Sequence, residues 1–201
     1  MRRFLFTTFG SLGDLYPYLA IARVLRERGH QAIIATAEEY RQAVVAADLG
    51  FAPVPPSLAE LGDAPAVVNR LLNPRHGPAY LIRQLVMPHV RAAYEQLLPL
   101  LTGADLLISH PLTVALPLVA QQRCLPWVAT VLSPLSFMSC YDPPVLAAAP
   151  RLHAFRGFGP QFHRILFHLA KRTVRHWEDP LRELRRDLGL PPAFHSALFE
   201  G

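Results

Sequence analysis

The chain opens with a solid apolar block. Phe4-Leu5-Phe6-Thr7-Thr8 carries an apolar or β-branched residue at every place. A short run with no polar side predicts a strand buried on both faces, as in parallel sheets. After a glycine-rich turn, Leu19, Ile21, Ala22, Val24 and Leu25 recur at helical spacing, with Arg23, Arg26, Glu27 and Arg28 opposite. That pattern predicts an amphipathic helix with Pro17 in its first turn and Gly29 as its stop. Gln31 to Thr36 predicts a second strand. Glu38 to Asp48 predicts a second helix that opens on acidic residues and ends near Gly50, and Phe51 to Val54 a third strand. Strand, helix, strand, helix, strand within about 50 residues implies a parallel sheet with right-handed crossovers.

Residues 55–78 are rich in Pro, Gly and Asn and predict a loop with at most a short helix around Ala66 to Leu72. A long amphipathic helix is expected from Ala79 to Leu101, a fourth strand over Leu106 to Ser109, and a helix over Thr113 to Arg123 despite Pro117. Trp127 to Leu132 predicts a fifth strand. Val174, Trp177, Leu181, Leu184 and Leu188 step by three and four, so a last helix is expected, stopping at Gly189 before Pro191-Pro192. The expected fold is α/β: a Rossmann-like parallel sheet with helices on both faces.

Composition adds a class and a charge. Hydrophobic residues make up 51% and charged residues 17% of 201, enough for a core without disulfide or metal staples. Cys124 and Cys140 form no metal-ligand pattern, and reduced thiols suit a cytoplasmic protein. No secretory leader and no stretch of about 18 apolar residues is present, so no membrane span is expected. The net charge is +5, and arginines gather in the last third, from Arg151 to Arg186. The plainest reading is the solvated face of two helices. Peripheral contact with an anionic membrane surface comes second. Nucleic acid comes last, because no recognition motif accompanies the charge.

Ligands of open parallel sheets bind outside the carboxyl ends of the strands. Three such ends carry small or polar residues: Gly10 to Asp14, Ser109-His110 and Ser133 to Phe137. Gly10 and Gly13 allow a sharp turn and close approach of a ligand. The turn lacks the third glycine of a dinucleotide fingerprint and puts a carboxylate where pyrophosphate would lie, which speaks against an oxidoreductase. Asp14 reads both as a helix cap and as a chemical group, and the two roles are compatible. His110 is either structural or catalytic. His153, His163, His168 and His176 lack the spacing of a helical metal pair, so no metal site is expected. No G-x-S-x-G elbow and no P-loop lysine is present.

The stretch Phe9-Gly-Ser-Leu-Gly-Asp-Leu-Tyr-Pro-Tyr-Leu-Ala-Ile-Ala-Arg-Val-Leu-Arg-Glu-Arg-Gly-His30 resembles the start of bacterial nucleotide-sugar glycosyltransferases of the GT-B fold. The likeness is to the branch of sterol glucosyltransferases, antibiotic glycosyltransferases and the rhamnosyltransferases of rhamnolipid synthesis. Asp105-Leu-Leu-Ile-Ser-His110, Leu125 to Pro134 and Leu188-Gly-Leu-Pro-Pro192 resemble later segments of the same family.

The resemblance implies an N-terminal, acceptor-binding domain over residues 1–190, with 191–201 starting the linker to a C-terminal donor domain that is expected to be missing. It implies metal-independent, inverting transfer with no cofactor, from a nucleoside diphosphate sugar such as a UDP-sugar to a hydroxyl of a hydrophobic acceptor (lipid, sterol, polyketide or aromatic). The half alone is expected to be inactive. In plant relatives the aspartate of the G-D pair is a histidine, oriented by an aspartate after the fourth strand, so the two types look exchanged here. Either Asp14 is the base, or His110 is the base and Asp14 orients it. Phe9, Gly10, Ser11, Gly13, Ser133, Pro134, Phe137 and Met138 are the expected acceptor contacts, with Tyr141 and Phe158 as further apolar candidates. A catalytically dead binding or scaffold module is the alternative, ahead of an oxidoreductase.

Overall fold

The computed structural model describes residues 1–57, 64–133, 137–145 and 150–192, with only the backbone of Ala64, Leu152 and His153. Five parallel strands lie in the order β3-β2-β1-β4-β5: β1 Arg3–Thr7, β2 Gln31–Thr36, β3 Gly50–Pro53, β4 Leu106–Ser109 and β5 Trp127–Ala129. The order makes β1 and β4 neighbours, so the chain winds outward in both directions from the gap between them. The register aligns Phe6 with Ile34 and Ile108, and Leu5 with Ile33 and Leu107.

Those two rows point to opposite faces, because side chains alternate along a strand. Phe6, Ile34 and Ile108 pack against α1 (Leu12–Glu27) and α2 (Arg41–Ala46) through Leu15, Tyr18, Leu19, Ala22 and Val44. Leu5 and Leu107 face α5 (Val90–Leu97), α6 (Ala115–Arg123) and α8 (Asp179–Asp187) through Val90, Tyr94, Leu97, Leu116, Val119, Leu181 and Leu184. Both faces are covered, which explains the solidly apolar strands.

Several boundaries differ from the sequence expectation. The first helix starts at Leu12, so Pro17 lies inside it and removes the N–H that would reach the Gly13 carbonyl. The buried stripe is Leu15, Tyr18, Leu19 and Ala22, while Ile21 and Val24 are exposed. Gly29 does end this helix: the amides of Gly29 and His30 donate to the carbonyls of Arg26 and Leu25. The second helix is shorter than the expected Glu38 to Asp48: a 3₁₀ turn, Glu38–Tyr40, precedes it and it ends at Ala46. Asp48 takes the left-handed conformation (φ +56°), and the amides of Asp48 and Leu49 donate back to Val45 and Val44.

The long helix expected over residues 79–101 is broken. α4 (Gly77–Tyr80) passes into a π turn, Leu81–Val86, and α5 begins only at Val90 and ends in a 3₁₀ turn, Leu98–Leu101. Pro88 lies in the gap, where it cannot donate and its ring would crowd the preceding turn. α3 (Ala64–Leu71) is the short helix allowed for around Ala66 to Leu72, whereas β5 stops three residues before Leu132. The C-terminal stripe is divided between α7 (Pro160–Val174) and α8, because Pro180 starts a new helix after a 3₁₀ turn. Among the described residues no helix is long and apolar enough to cross a membrane.

Candidate active site

The strand order reverses at β1 and β4, and the crevice beyond their carboxyl ends is where such sheets hold ligands. The segment leaving β1 is pinned on both sides. The Thr8 amide donates to Ala35 O at 3.1 Å, and Thr8 Oγ1 to the Asp14 carbonyl at 3.0 Å. Gly10 sits at φ +135°, and a Cβ there would lie 2.3 Å from Asp14 Oδ2. Tyr40 Oη donates to the Gly10 carbonyl at 2.6 Å and clamps the turn from outside. Ser11 caps α1: its Oγ accepts from the Gly13 amide at 3.2 Å. Asp14 Oδ2 accepts from the Ser11 amide at 2.7 Å and from Ser11 Oγ at 3.0 Å. This reciprocal cap holds the carboxylate in place, and the helix dipole favours it there.

His110 follows β4 and is 7% exposed. Its amide donates to Thr7 O, and its carbonyl accepts from the Thr113 amide and Thr113 Oγ1. The Leu112 amide donates to His110 Nδ1 at 3.2 Å, and His110 Nε2 lies 3.5 Å from Asp14 Oδ1. A backbone donor at Nδ1 places the proton of the neutral ring on Nε2, facing the carboxylate. Burial holds the His110 pKa below its ordinary value, and the nearby Asp14 charge offsets part of that. Asp14 itself is partly open, with about a third of its side chain exposed (32%).

A tyrosine stands behind the pair. Tyr18, one turn along α1 from Asp14, meets the His110 ring edge-on at 6.3 Å and the Phe6 ring at 6.1 Å. Its hydroxyl bonds Thr130 Oγ1, which donates to Ser109 O at 2.8 Å. Burial raises the Tyr18 pKa against the lowering effect of the Thr130 bond, and the Asp14 charge raises it further. Burial likewise raises that of Tyr40, helped by Glu39 and Asp14. Both phenols are neutral around the carboxylate.

Asp14 and His110 are therefore brought together. Phe9 is buried and lines an apolar cleft with about 30 Å³ of free space, walled also by Thr8, Pro55, Val86, Val90 and Leu112. Gly10, Ser11 and Gly13 form the turn. Ser133 is exposed, Phe137 is 67% exposed, and Met138 has a left-handed backbone (φ +46°). Pro134 lies outside the described residues. Tyr141 and Phe158 are exposed beside Gln161 and Arg164 at the start of α7. The sequence reading passed over Thr8, Tyr18, Tyr40 and Thr130. Only Tyr18 left a signal, as an aromatic four residues after Asp14.

The turn is a poor cradle for a dinucleotide, because the Ser11 and Gly13 amides that would face a pyrophosphate are engaged by Asp14 and Ser11. Among the described residues no three His, Cys, Asp or Glu side chains are grouped to hold a metal ion.

Comparison with known proteins agrees with this architecture. Residues 4–110 match the glycosyltransferase family 28 N-terminal domain, and the chain belongs to that family. It is similar to the O-mycaminosyltylonolide 6-deoxyallosyltransferase of Streptomyces fradiae, with 29% identity over 191 residues, 92% of this chain and 43% of that protein. A shorter stretch of 54 residues is 41% identical to a sterol 3-beta-glucosyltransferase of Kluyveromyces lactis, covering 27% of this chain and 4% of that one. Among solved structures, the fold is shared with the glycosyltransferase SsfS6 of Streptomyces sp. SF2575 (TM-score 0.57, 19% identity, 96% of this chain and 47% of that one). It is also shared with SnogD of Streptomyces nogalater (TM-score 0.55, 22% identity, 95% and 42%). The chain spans less than half the length of these relatives.

Proposed function

We propose that this chain is the acceptor-binding half of an inverting glycosyltransferase, with Asp14 as the base that takes the proton of the acceptor hydroxyl. The observation that carries this reading is the Asp14–His110 pair at the β1–β4 crevice of a family 28 domain. Asp14 Oδ2 is occupied by Ser11, whereas Oδ1 has, among the described residues, only the Nε2–H of His110, at a long 3.5 Å. That oxygen can accept from an incoming hydroxyl. As the hydroxyl proton passes to Oδ1, the oxygen attacks the anomeric carbon from the face opposite the departing nucleoside diphosphate.

His110 is the positioning partner. For it to act as the base, Nε2 would have to be bare and Nδ1 protonated, and the Nδ1 proton would then point at the Leu112 N–H. The acceptor in this reading is hydrophobic, and the apolar cleft beside Phe9, with about 30 Å³ of free space, has room for no more than a small group of it. Residues 1–190 form the acceptor-binding unit and 191–201 begin the linker in this reading. In this reading the nucleotide sugar is held by a second domain; the structural neighbour SsfS6 has been crystallised with thymidine diphosphate. Sugar transfer by the isolated chain would overturn the half-enzyme reading.

The test is the chain joined to the donor-binding half of a family member. Asp14→Asn is expected to lower kcat about 10²–10⁴-fold, the range for losing a general base. His110→Asn, whose amide can still accept from Leu112, should cost less and shift the pH profile of kcat. Unchanged turnover in Asp14→Asn would remove the proposal.

A further inference from the structure

The two C-terminal helices differ in how they carry charge. On α8, Arg182 pairs with Glu178 at 3.2 Å and Asp179 at 2.8 Å, and Asp187 pairs with Arg91 of α5. The pairs with Asp179 and Asp187 are ordinary solvated ones, that with Glu178 is half-buried, and all are of mixed sign. Residues 143–177 hold six cations (Arg151, Arg156, Arg164, Lys171, Arg172 and Arg175) and no Asp or Glu at all. Arg156 is paired with Asp142 across the turn, but Arg164, Arg172 and Arg175 have no carboxylate partner among the described residues. Like charges one or two turns apart on a helix repel and destabilise it. A face that needed only water would have been cheaper with mixed signs.

The same face is also apolar. α7 buries His163 and Phe167. On its outer side Ile165 is 63% and Leu169 54% exposed, one turn apart. Phe158, 64% exposed, extends the stripe beyond the N-terminus of α7, its ring 5.1 Å from that of Phe162. At 100° per residue, Arg172, His168 and Arg164 run along one flank of Ile165 and Leu169. An exposed aliphatic and aromatic strip bordered by unopposed arginines is the arrangement of a helix lying in the interface of an anionic membrane.

We infer that α7 and the Phe158 turn before it form a docking surface for an anionic lipid bilayer. Phe158, Ile165 and Leu169 enter the headgroup–acyl boundary, while Arg164, Arg172 and Arg175 meet lipid phosphates. Aliphatic residues among the cations favour lipid over nucleic acid, whose backbone offers them nothing to bury against. This surface is separate from the Asp14–His110 pair and does not depend on the proposed catalytic role of either residue.

The test is flotation of the chain with vesicles of phosphatidylcholine alone and of an equal mixture with phosphatidylglycerol. Binding is expected to the mixed vesicles only and to weaken with salt. Each of Arg164→Gln, Arg172→Gln and Arg175→Gln should weaken it about fivefold at low salt, from the attraction of one cation near an anionic surface. Ile165→Ser with Leu169→Ser should leave the salt-sensitive encounter but abolish the blue shift of a fluorophore attached at Leu166→Cys in a chain carrying Cys124→Ser and Cys140→Ser. Circular dichroism and thermal midpoints serve as fold controls: Arg164, Arg172, Arg175, Ile165 and Leu169 are exposed, and Leu166 is half-buried.

Failure to bind mixed vesicles overturns the proposal, as does binding that none of these substitutions weakens. Equal, arginine-dependent binding to a DNA duplex would show a nucleic-acid surface instead. Substitutions that changed only the oligomeric state would show a contact between copies.

Discussion

His110 has its two ring nitrogens committed in opposite directions: Nδ1 accepts the Leu112 amide at 3.2 Å, and Nε2 faces Asp14 Oδ1 at 3.5 Å. Protonation would place a second donor against the Leu112 N–H and a charge in a buried setting. Burial is the larger effect, and it keeps the pKa below the ordinary 6.5 despite the Asp14 carboxylate.

A pH dependence of stability follows. As pH falls, the unfolded chain takes up the imidazole proton before the folded one does. The stabilisation tied to neutral His110 is therefore fully present above 6.5 and is lost as pH falls through the lower folded value. Thermal midpoints of the parent should drop across that window relative to those of His110→Asn, which has no proton to gain. Parallel profiles for the two proteins would show that His110 does not titrate this way.

Gly10→Ala tests how tightly the turn is built. The φ of +135° is one that side chains rarely adopt, and a Cβ would meet Asp14 Oδ2 at 2.3 Å. Backbone strain of this kind costs about 1–3 kcal/mol. The carboxylate must also move, which breaks its bonds from Ser11. Urea unfolding should show a loss in that range, and turnover in the joined enzyme should fall with it. Full stability would mean that the turn can adopt another path.

The sheet was legible because its strands are buried on both faces: Phe4 to Thr8, Gln31 to Thr36 and Leu106 to Ser109 leave no polar alternation to misread. Helix boundaries were less so. Periodicity runs through residues 79–101 because both sides of the break bury the same face, and only two prolines mark the interruptions, Pro88 at the break and Pro99 in the closing 3₁₀ turn. At the first helix the Ser11–Asp14 cap sets the start five residues before Pro17, so the stripe shifts and Ile21 and Val24 turn outward. The Asp14–His110 pair could be foreseen from topology, since Asp14 lies in the turn of helix that follows β1 and His110 directly follows β4, and these strands prove to be neighbours. The clamps of Tyr40 on Gly10 and Thr130 on Tyr18 span 30 and 112 residues of sequence, and no local pattern encodes them.

Asp48 offers a test of helix ending by an unexpected residue. Its left-handed backbone costs about 1–2 kcal/mol for a residue with a Cβ, less for Asp, whose side chain suits that region. Asp48→Gly relieves this but loses an exposed ion pair with Arg26 worth about 0.2–1 kcal/mol, and glycine frees the unfolded chain by about 0.5–1 kcal/mol more. The effects nearly cancel, so stability should change by no more than about 1 kcal/mol. Asp48→Val, which can neither adopt the turn easily nor pair, should lose more than that in the same urea titration.

Tyr18 and Thr130 connect the helix that carries Asp14 to the end of β5. Tyr18 is 1% exposed, and its hydroxyl bonds Thr130 Oγ1, which in turn donates to Ser109 O. Tyr18→Phe keeps the ring contacts with Phe6 and His110 and deletes only the bond. Thr130→Val deletes the same bond together with that to Ser109. Thr130→Val should cost about 1–3 kcal/mol, because it leaves the hydroxyl of the buried Tyr18 unmet, and Tyr18→Phe should cost less, because the half-buried Thr130 keeps its bond to Ser109. Together they should cost less than the sum, with a coupling of about 0.5–3 kcal/mol in a double-mutant cycle by urea unfolding. Strict additivity would show that the hydroxyl pair carries no energy, leaving only ring packing between Tyr18 and the His110 side of the crevice.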